Sequence, residues 1–361
     1  CFDQPNIKPQ WTFHVIAPSF WVVTSNGVAT TTDLEESNTR WDFSTTPPLS
    51  SYITAVVAGQ WAIVDGGTWE GSAGDGASAC LGLRLMCRQA LAEAMDSDDI
   101  LAVTRAGLDH YHAHYGYTYP WGSYDQIFVP EYNLGAMENP GCVTFTESYL
   151  SRDTPSFALR QKRANTILHE MCHMWFGDLV TPAWWDNLWL KESFAENQGT
   201  TTAAEATVYT GEWASFAIGR KAWAYAQDQY PTTHPIVADI PDIPAATNNF
   251  DGITYAKGAS VLKQLVAWVG EDAFYQGVRL YFQRHANGAT SLDDLLTALE
   301  EASGYDLASW KDAWLLTTGP SKLSVRTTSD EDGKVTSLTL LQEGLARPHC
   351  LNISYWTSRG D

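Results

Sequence analysis

Basic residues are scarce in this chain. Only 22 Lys and Arg stand against 42 Asp and Glu in 361 residues, a net charge of −20. Long-range repulsion then disfavours polyanionic partners, so no nucleic-acid role is expected. Cysteines are few and scattered, at 1, 80, 87, 142, 172 and 350, with no CxxC pair. In a chain of this size that argues against a disulfide framework. No apolar run approaches the ~18 residues of a membrane span, and no repeat or low-complexity segment is found. A secretory leader is absent too, so a cytoplasmic location is expected. The opening "CFDQPNIKPQWTFHVIA" has no initiator Met and runs almost at once into strand-like alternation, as if cut from a longer protein.

What is present is material for a core. Hydrophobic residues make up 44% and charged residues 18%, with 16 Trp, 16 Tyr and 13 Phe. The length suggests two or three domains. Residues 1–66 read as β, from short runs such as "WTFHVIA", "FWVVTS" and "YITAVVAG" separated by Pro, Asn, Gly and Thr. The Gly- and Ser-rich 65–78 reads as a junction or surface loop, and from about 80 the pattern turns largely helical. "SDDILAVTRAGLDHYHAHYG" predicts a helix stopped at Gly116, and 124–130 a buried strand. Thr154 as N-cap and Pro155 as first helical residue predict a helix running to Gly177, followed by a second over "NLWLKESFAENQGT". Further helices are expected near 211–229, 254–269, 271–286, 291–303 and 306–317, with a Ser291–Asp294 capping box and a stop at Gly304. Alternation returns after residue 320 in "KLSVRT", "VTSLTLLQ" and "CLNISYW". The expected domains are therefore 1–66, 67–320 and 321–361.

The chemistry concentrates in "HEMCH", residues 169–173. On a helix, His169 and His173 share a face and Glu170 borders it. Two neutral imidazoles can bind one Zn²⁺, and the adjacent carboxylate can take a proton from the attacking water. A chain of this length carries the pattern by accident on the order of 1% of the time. A third protein ligand is therefore required, because catalytic zinc keeps three and leaves one position open. Glu192 is the candidate: eighteen residues beyond His173, on the next predicted helix, with Gly177 and Pro182 between them to reverse the chain.

"HEMCHMWFGDLV" followed by "WWDNLWLKESFAE" resembles the aminopeptidase N family of zinc metallopeptidases, the gluzincins, in its bacterial, actinobacterial-like branch. The resemblance extends to "YDQIFVPEYNLGAMENPGCVTF", with a GAMEN box at Gly135–Asn139, and to "FDGITYAKGASVLKQLV". It implies an α+β multidomain fold: a thermolysin-like zinc peptidase domain flanked by partial β-sandwich-type domains. It implies one zinc per chain, held by His169, His173 and Glu192, with Glu170 as general base. It assigns Glu138 to the substrate's free α-ammonium, places Gly135 and Ala136 along the substrate like an edge strand, and includes Met137 and Asn139 in the same box. Tyr255 takes the role of oxyanion donor. The implied partners are peptides with a free N-terminus. Lys191 and Ser193 depart from the Asn and Gly often found beside the ligand Glu, and Met174 from a common Gln. A second acidic amine-binding group and a C-terminal helical domain are expected outside this chain.

Three other features are weighed. Glu196, one turn after Glu192, either orients a ligand or is a solvated carboxylate. His110 and His114 share a helical face without a third ligand and read as an amphipathic surface, while Cys172 reads as an inert buried thiol. "NIS" at 352–354 is a glycosylation acceptor only in a secreted protein. Two alternatives stay open beside the aminopeptidase: a catalytically impaired zinc- or peptide-binding fragment, and a bifunctional epoxide-hydrolase-like relative.

Overall fold

The computed structural model describes residues 3–354. The first β region builds β1 (His14–Pro18), β2 (Val22–Ser25), β3 (Ala29–Asp33), β4 (Asn38–Phe43) and β5 (Val56–Gly59). Strands β1, β4 and β3 form one antiparallel sheet and β2 and β5 another, over a small core of Ala17, Val23 and Phe43.

A five-stranded sheet follows, from β6 (Trp61–Gly71), β7 (Ala79–Arg88), β8 (Ser123–Val129), β9 (Ala136–Met137) and β10 (Cys142–Thr146). Its order is β6-β7-β8-β10-β9, parallel between β7, β8 and β10 and antiparallel at both ends. Residue 66 falls inside β6, which pairs with β7 along its length. The stretch expected to be a loop over 65–78 is strand to Gly71, and Gly66 and Gly67 sit in a register shift rather than a turn. Residues 79–88, expected to open the helical part, are strand β7. Leu81 and Leu83 alternate with less buried neighbours, and pairing on both sides overrides the helix preference of Leu, Met and Arg.

The helices are α1 (Ser97–Tyr115), α2 (Phe157–His173), α3 (Trp189–Ala206), α4 (Glu212–Ile218), α5 (Arg220–Gln227), α6 (Ile243–Asn248), α7 (Gly258–Val269), α8 (Glu271–His285), α9 (Leu292–Ser303) and α10 (Ala308–Trp314). Helix α1 ends at Gly116 in the left-handed conformation, φ +61°, as its sequence predicts. The Ser291–Asp294 capping box and the Gly304 stop are likewise formed. Helix α2 starts later than expected: Ser156, not Thr154, is the cap, its hydroxyl accepting from the Leu159 amide at 3.2 Å. It also stops earlier, at His173. The stretch 211–229 is two short helices broken at Gly219, and 254–269 opens with a π-helical turn over Ile253–Lys257.

Two short strands, β11 (Thr181–Pro182) and β12 (Ala289–Thr290), pair in parallel, and β13 (Lys322–Ser329) and β14 (Val335–Glu343) form a hairpin. The last expected strand is not formed over 350–354, and its remainder lies outside the described residues.

The core that positions the site is aromatic. Tyr111 stacks on Tyr115 at 4.9 Å, Tyr115 meets Trp175 at 5.4 Å, and Phe176 stacks on Phe194 at 4.3 Å. The Tyr111 hydroxyl donates to the Leu168 carbonyl at 2.8 Å, one residue before the first motif histidine. His112 belongs to this core, with Nδ1 2.7 Å from the Leu108 carbonyl and Nε2 accepting from the Tyr119 amide. The His110 and His114 rings lie 4.1 Å apart, outside the metal-competent groups found among the described residues. Cys172 is a buried thiol beside the Tyr115 hydroxyl.

Candidate active site

The last turn of α2 carries the motif, and α3 returns antiparallel to bring Glu192 back to it. Two glycines make that return possible. Gly177 has φ +128°, a conformation open to few other residues, and turns the chain directly after α2. Gly199 lets α3 approach closely, because a Cβ there would lie 3.0 Å from the His169 amide nitrogen and 3.2 Å from its Cα.

The result is a triangle of donor atoms. His169 Nε2 and His173 Nε2 are 3.2 Å apart, and Glu192 Oε2 lies 3.5 Å from the first and 3.4 Å from the second. Ligands at 2.0–2.2 Å around a tetrahedral ion stand roughly 3.3–3.6 Å from one another. The donor types and the spacing therefore both fit zinc. The His173 ring is oriented by its other nitrogen, which donates to the Phe176 carbonyl at 3.0 Å, so that in the neutral ring Nε2 carries the lone pair. His169 Nδ1 has a looser neighbour, Glu196 Oε2 at 3.9 Å. Glu196 is not solvated: it is buried and gripped by the Arg220 guanidinium at 2.6 and 2.8 Å.

Glu170 is buried beside the triangle and groups with Glu138 and His173 as a second set of close donor atoms. Burial, then the Glu138 charge, pushes its carboxyl well above the usual carboxylate range. Tyr255 stands on the π-helical turn, its ring nearly parallel to that of His169 at 6.1 Å. Ser193, one of the departures from the family pattern, anchors this turn: its hydroxyl donates to the Thr254 carbonyl at 2.5 Å. Asn197 adds a bond to the Ala259 carbonyl at 2.9 Å. Met174, another departure, packs in the core with its carbonyl accepting from Trp121 Nε1.

The GAMEN segment ends the sheet. Ala136 and Met137 form β9, paired on one side only, with β10. Gly135 precedes it, its carbonyl accepting from the Thr146 amide at 3.0 Å. Glu138 and Asn139 follow and are buried, Asn139 donating to the Thr144 hydroxyl at 3.3 Å. A cleft of about 670 Å³ runs past this edge, with Gly135, Ala136, His169, Glu170 and Tyr255 in its wall. Eight of the ten residues singled out in the sequence line this cleft or belong to the groups of close donor atoms, and Met137 and Asn139 flank Glu138 in the chain.

Sequence reasoning treated Lys191 only as a departure. Its ammonium donates to Glu138 Oε1 at 2.6 Å and lies 2.9 Å from Glu192 Oε1. Against the cost of burial, those two carboxylates hold it protonated well above the usual lysine range. Tyr52, from the first β region, sets its ring 5.0 Å from the same ammonium. No local pattern around Tyr52 signals this, since its role exists only through the packing of two distant segments.

Two family models match this chain. Residues 100–314 match the peptidase family M1 domain and residues 1–53 the peptidase M1 N-terminal domain. The chain is 49% identical over 349 residues to aminopeptidase N of Streptomyces lividans, covering 96% of this chain and 40% of that protein. It is 32% identical over 371 residues to aminopeptidase N of Canis lupus familiaris, covering 98% and 37% respectively. A match to the tricorn protease-interacting factor F2 of Thermoplasma acidophilum is 34% identical over 226 residues, 62% of this chain and 29% of that protein. The chain thus spans two fifths or less of the length of these relatives. The α+β multidomain organisation, the HEMCH and GAMEN motifs and the family match together make this chain a member of the M1 peptidase family, a family of zinc metallopeptidases.

Proposed function

We propose that the protein carrying this chain is a zinc aminopeptidase that removes the N-terminal residue from peptides. The observation that carries the reading is the triangle of His169, His173 and Glu192 donor atoms at 3.2–3.5 Å, with Glu170 buried beside it. One zinc held by these three residues would act as a Lewis acid on the scissile carbonyl and on water. In the same reading Glu138 holds the substrate's α-ammonium by a charge-assisted hydrogen bond, which an internal peptide lacks. The free side of β9 supports extended docking of the substrate backbone beside Gly135 and Ala136. Met137 and Asn139 act by shaping this edge: Met137 through its pairing with Thr144, Asn139 through its side-chain bond to the same residue. Glu170 takes the proton of the attacking water and returns one to the leaving amine. The Tyr255 hydroxyl donates to the carbonyl oxygen as its charge develops.

Peptides with a free N-terminus are the proposed partners. The described cysteines, Cys80, Cys87, Cys142, Cys172 and Cys350, are free thiols, which supports a reducing, cytoplasmic setting. No helix of the described residues is long and apolar enough to cross a membrane.

The test is release of p-nitroaniline from amino acid p-nitroanilides, with and without a chelator, by wild type and Glu170→Gln. Loss of activity on chelation, restored by zinc, and loss in the variant are expected. Activity that survives both would refute the mechanism. An N-acetylated substrate cleaved as fast as its free-amine counterpart would refute the role of Glu138.

A further inference from the structure

The place where a substrate cation is to be captured already holds a cation. Lys191 is 2% exposed, and its ammonium sits between two functional carboxylates, 2.6 Å from Glu138 Oε1 and 2.9 Å from Glu192 Oε1. The rings of Tyr52 and Phe250, 5.0 and 6.0 Å away, close the other sides. The two carboxylates are each divided. Glu192 turns Oε2 to the imidazoles and Oε1 to Lys191. Glu138 gives Oε1 to Lys191, and among the described residues no hydrogen bond reaches its Oε2. One oxygen of Glu138 is thus neutralised from within and one is left for an incoming donor.

We propose that Lys191 is the built-in counter-ion of Glu138 and determines how tightly the site holds a free α-ammonium. It satisfies Glu138 when no substrate is bound. When an ammonium arrives on Oε2, it meets a carboxylate whose field is already partly cancelled by a like charge one bond away. The same lysine keeps Glu192 facing the imidazoles through a single oxygen. Amine capture is therefore weaker than a lone buried carboxylate would give, and an amino acid product, which carries the same ammonium, leaves more readily. The inference rests on the reading of Glu138 as the amine-binding group.

The test compares two inhibitors that differ only in that amine: leucine hydroxamate and 4-methylpentanohydroxamate, its des-amino counterpart. The variants are Lys191→Asn, the residue often found here in the family, Lys191→Met, which keeps the length without the charge, and Lys191→Arg, which keeps the charge. The two neutral variants are expected to bind leucine hydroxamate on the order of tenfold tighter, with the des-amino compound unchanged. KM for leucine p-nitroanilide falls with them, by more than kcat changes, and Lys191→Arg keeps the wild-type ratio. Leucinamide binding to zinc-stripped proteins, followed by calorimetry, reads the same gain independently of metal and turnover. Weaker binding of the amine-bearing ligand in the neutral variants, or parallel shifts of both hydroxamates, overturns the proposal. A wild type that does not distinguish the two hydroxamates overturns the reading of Glu138 itself; a wild type that does, with variants that match it, overturns only the role of Lys191.

Discussion

Glu170 and Tyr255 both stand in the cleft wall with His169, one on the motif helix and one on the π-helical turn. Each makes a prediction at the residue scale. Under the proposed mechanism Glu170→Gln removes a proton carrier while keeping its volume, so kcat is expected to fall by about 10²–10⁴. Zinc content, read by atomic absorption, is expected to stay at the wild-type level, because Glu170 is not one of the three donors in the triangle. Under the proposed mechanism Tyr255→Phe removes a donor used as charge develops, so kcat is expected to fall by about 10²–10³ with KM little changed. A KM effect as large as the kcat effect would mean the hydroxyl binds the ground state instead. At this scale much was legible, because helical spacing alone sets His169, Glu170 and His173 on adjoining positions of one helix. Lys191 was not, since a lysine beside a ligand glutamate could as easily point to solvent, and only the opposing Glu138 makes it a bridge.

Between elements, the closeness of α2 and α3 governs the donor triangle. A side chain on Gly199 meets the His169 backbone, which has no flexible end to yield. Gly199→Val is therefore expected to destabilise the fold by about 1–3 kcal/mol and to separate Glu192 from the imidazoles. The checks are thermal unfolding and zinc affinity by chelator competition, with Gly199→Ala giving the smaller effect on both. The π-helical turn that carries Tyr255 starts just after Asp251, whose carboxylate is paired with His234 at 2.8 Å. Burial opposes the charged imidazole, but the hydrogen bond and charge of Asp251 prevail and raise its pKa. A raised folded-state value means that this stabilisation is complete below the ordinary histidine pKa of about 6.5. It is lost as pH rises through the folded value. In His234→Gln, melting temperature is expected to lose that part of its decline as pH rises from the ordinary histidine pKa through the folded value; an unchanged profile would remove the pair from the account. Element boundaries at this scale were only partly legible. Ser156 outcompetes Thr154 as cap because its hydroxyl reaches the Leu159 amide. Strand β7 hides in the sequence because its residues are good helix formers placed between two partner strands.

Across the whole molecule, a half-buried lysine is one of the ties between the first β region and the motif layer. Lys8 Nζ donates to the carbonyls of Asp178, Leu179 and Gly288 at 2.9–3.3 Å, joining the N-terminal segment, the turn after α2 and the loop before β12. Lys8→Met removes this shared donor while the Leu179 and Gly288 carbonyls keep the Asn287 and Thr181 amides, and a loss of about 0.5–1.5 kcal/mol is expected in denaturant unfolding. Zinc affinity should fall with it, because the same turn orients His173 through the Phe176 carbonyl. Wild-type stability in this variant would mean that water replaces the ammonium without cost. By itself the sequence determined which chemistry is possible: two imidazoles on one helical face with a carboxylate at its border, a downstream glutamate, a GAMEN segment and a tyrosine. Those follow from residue identity and short-range periodicity, which the backbone translates directly. Only the tertiary structure decided the 3.2–3.5 Å spacing of the donors, the one-sided pairing of β9 and the burial of Lys191 between Glu138 and Glu192. Each of these depends on segments dozens of residues apart packing without gaps, and no local window of sequence contains that information.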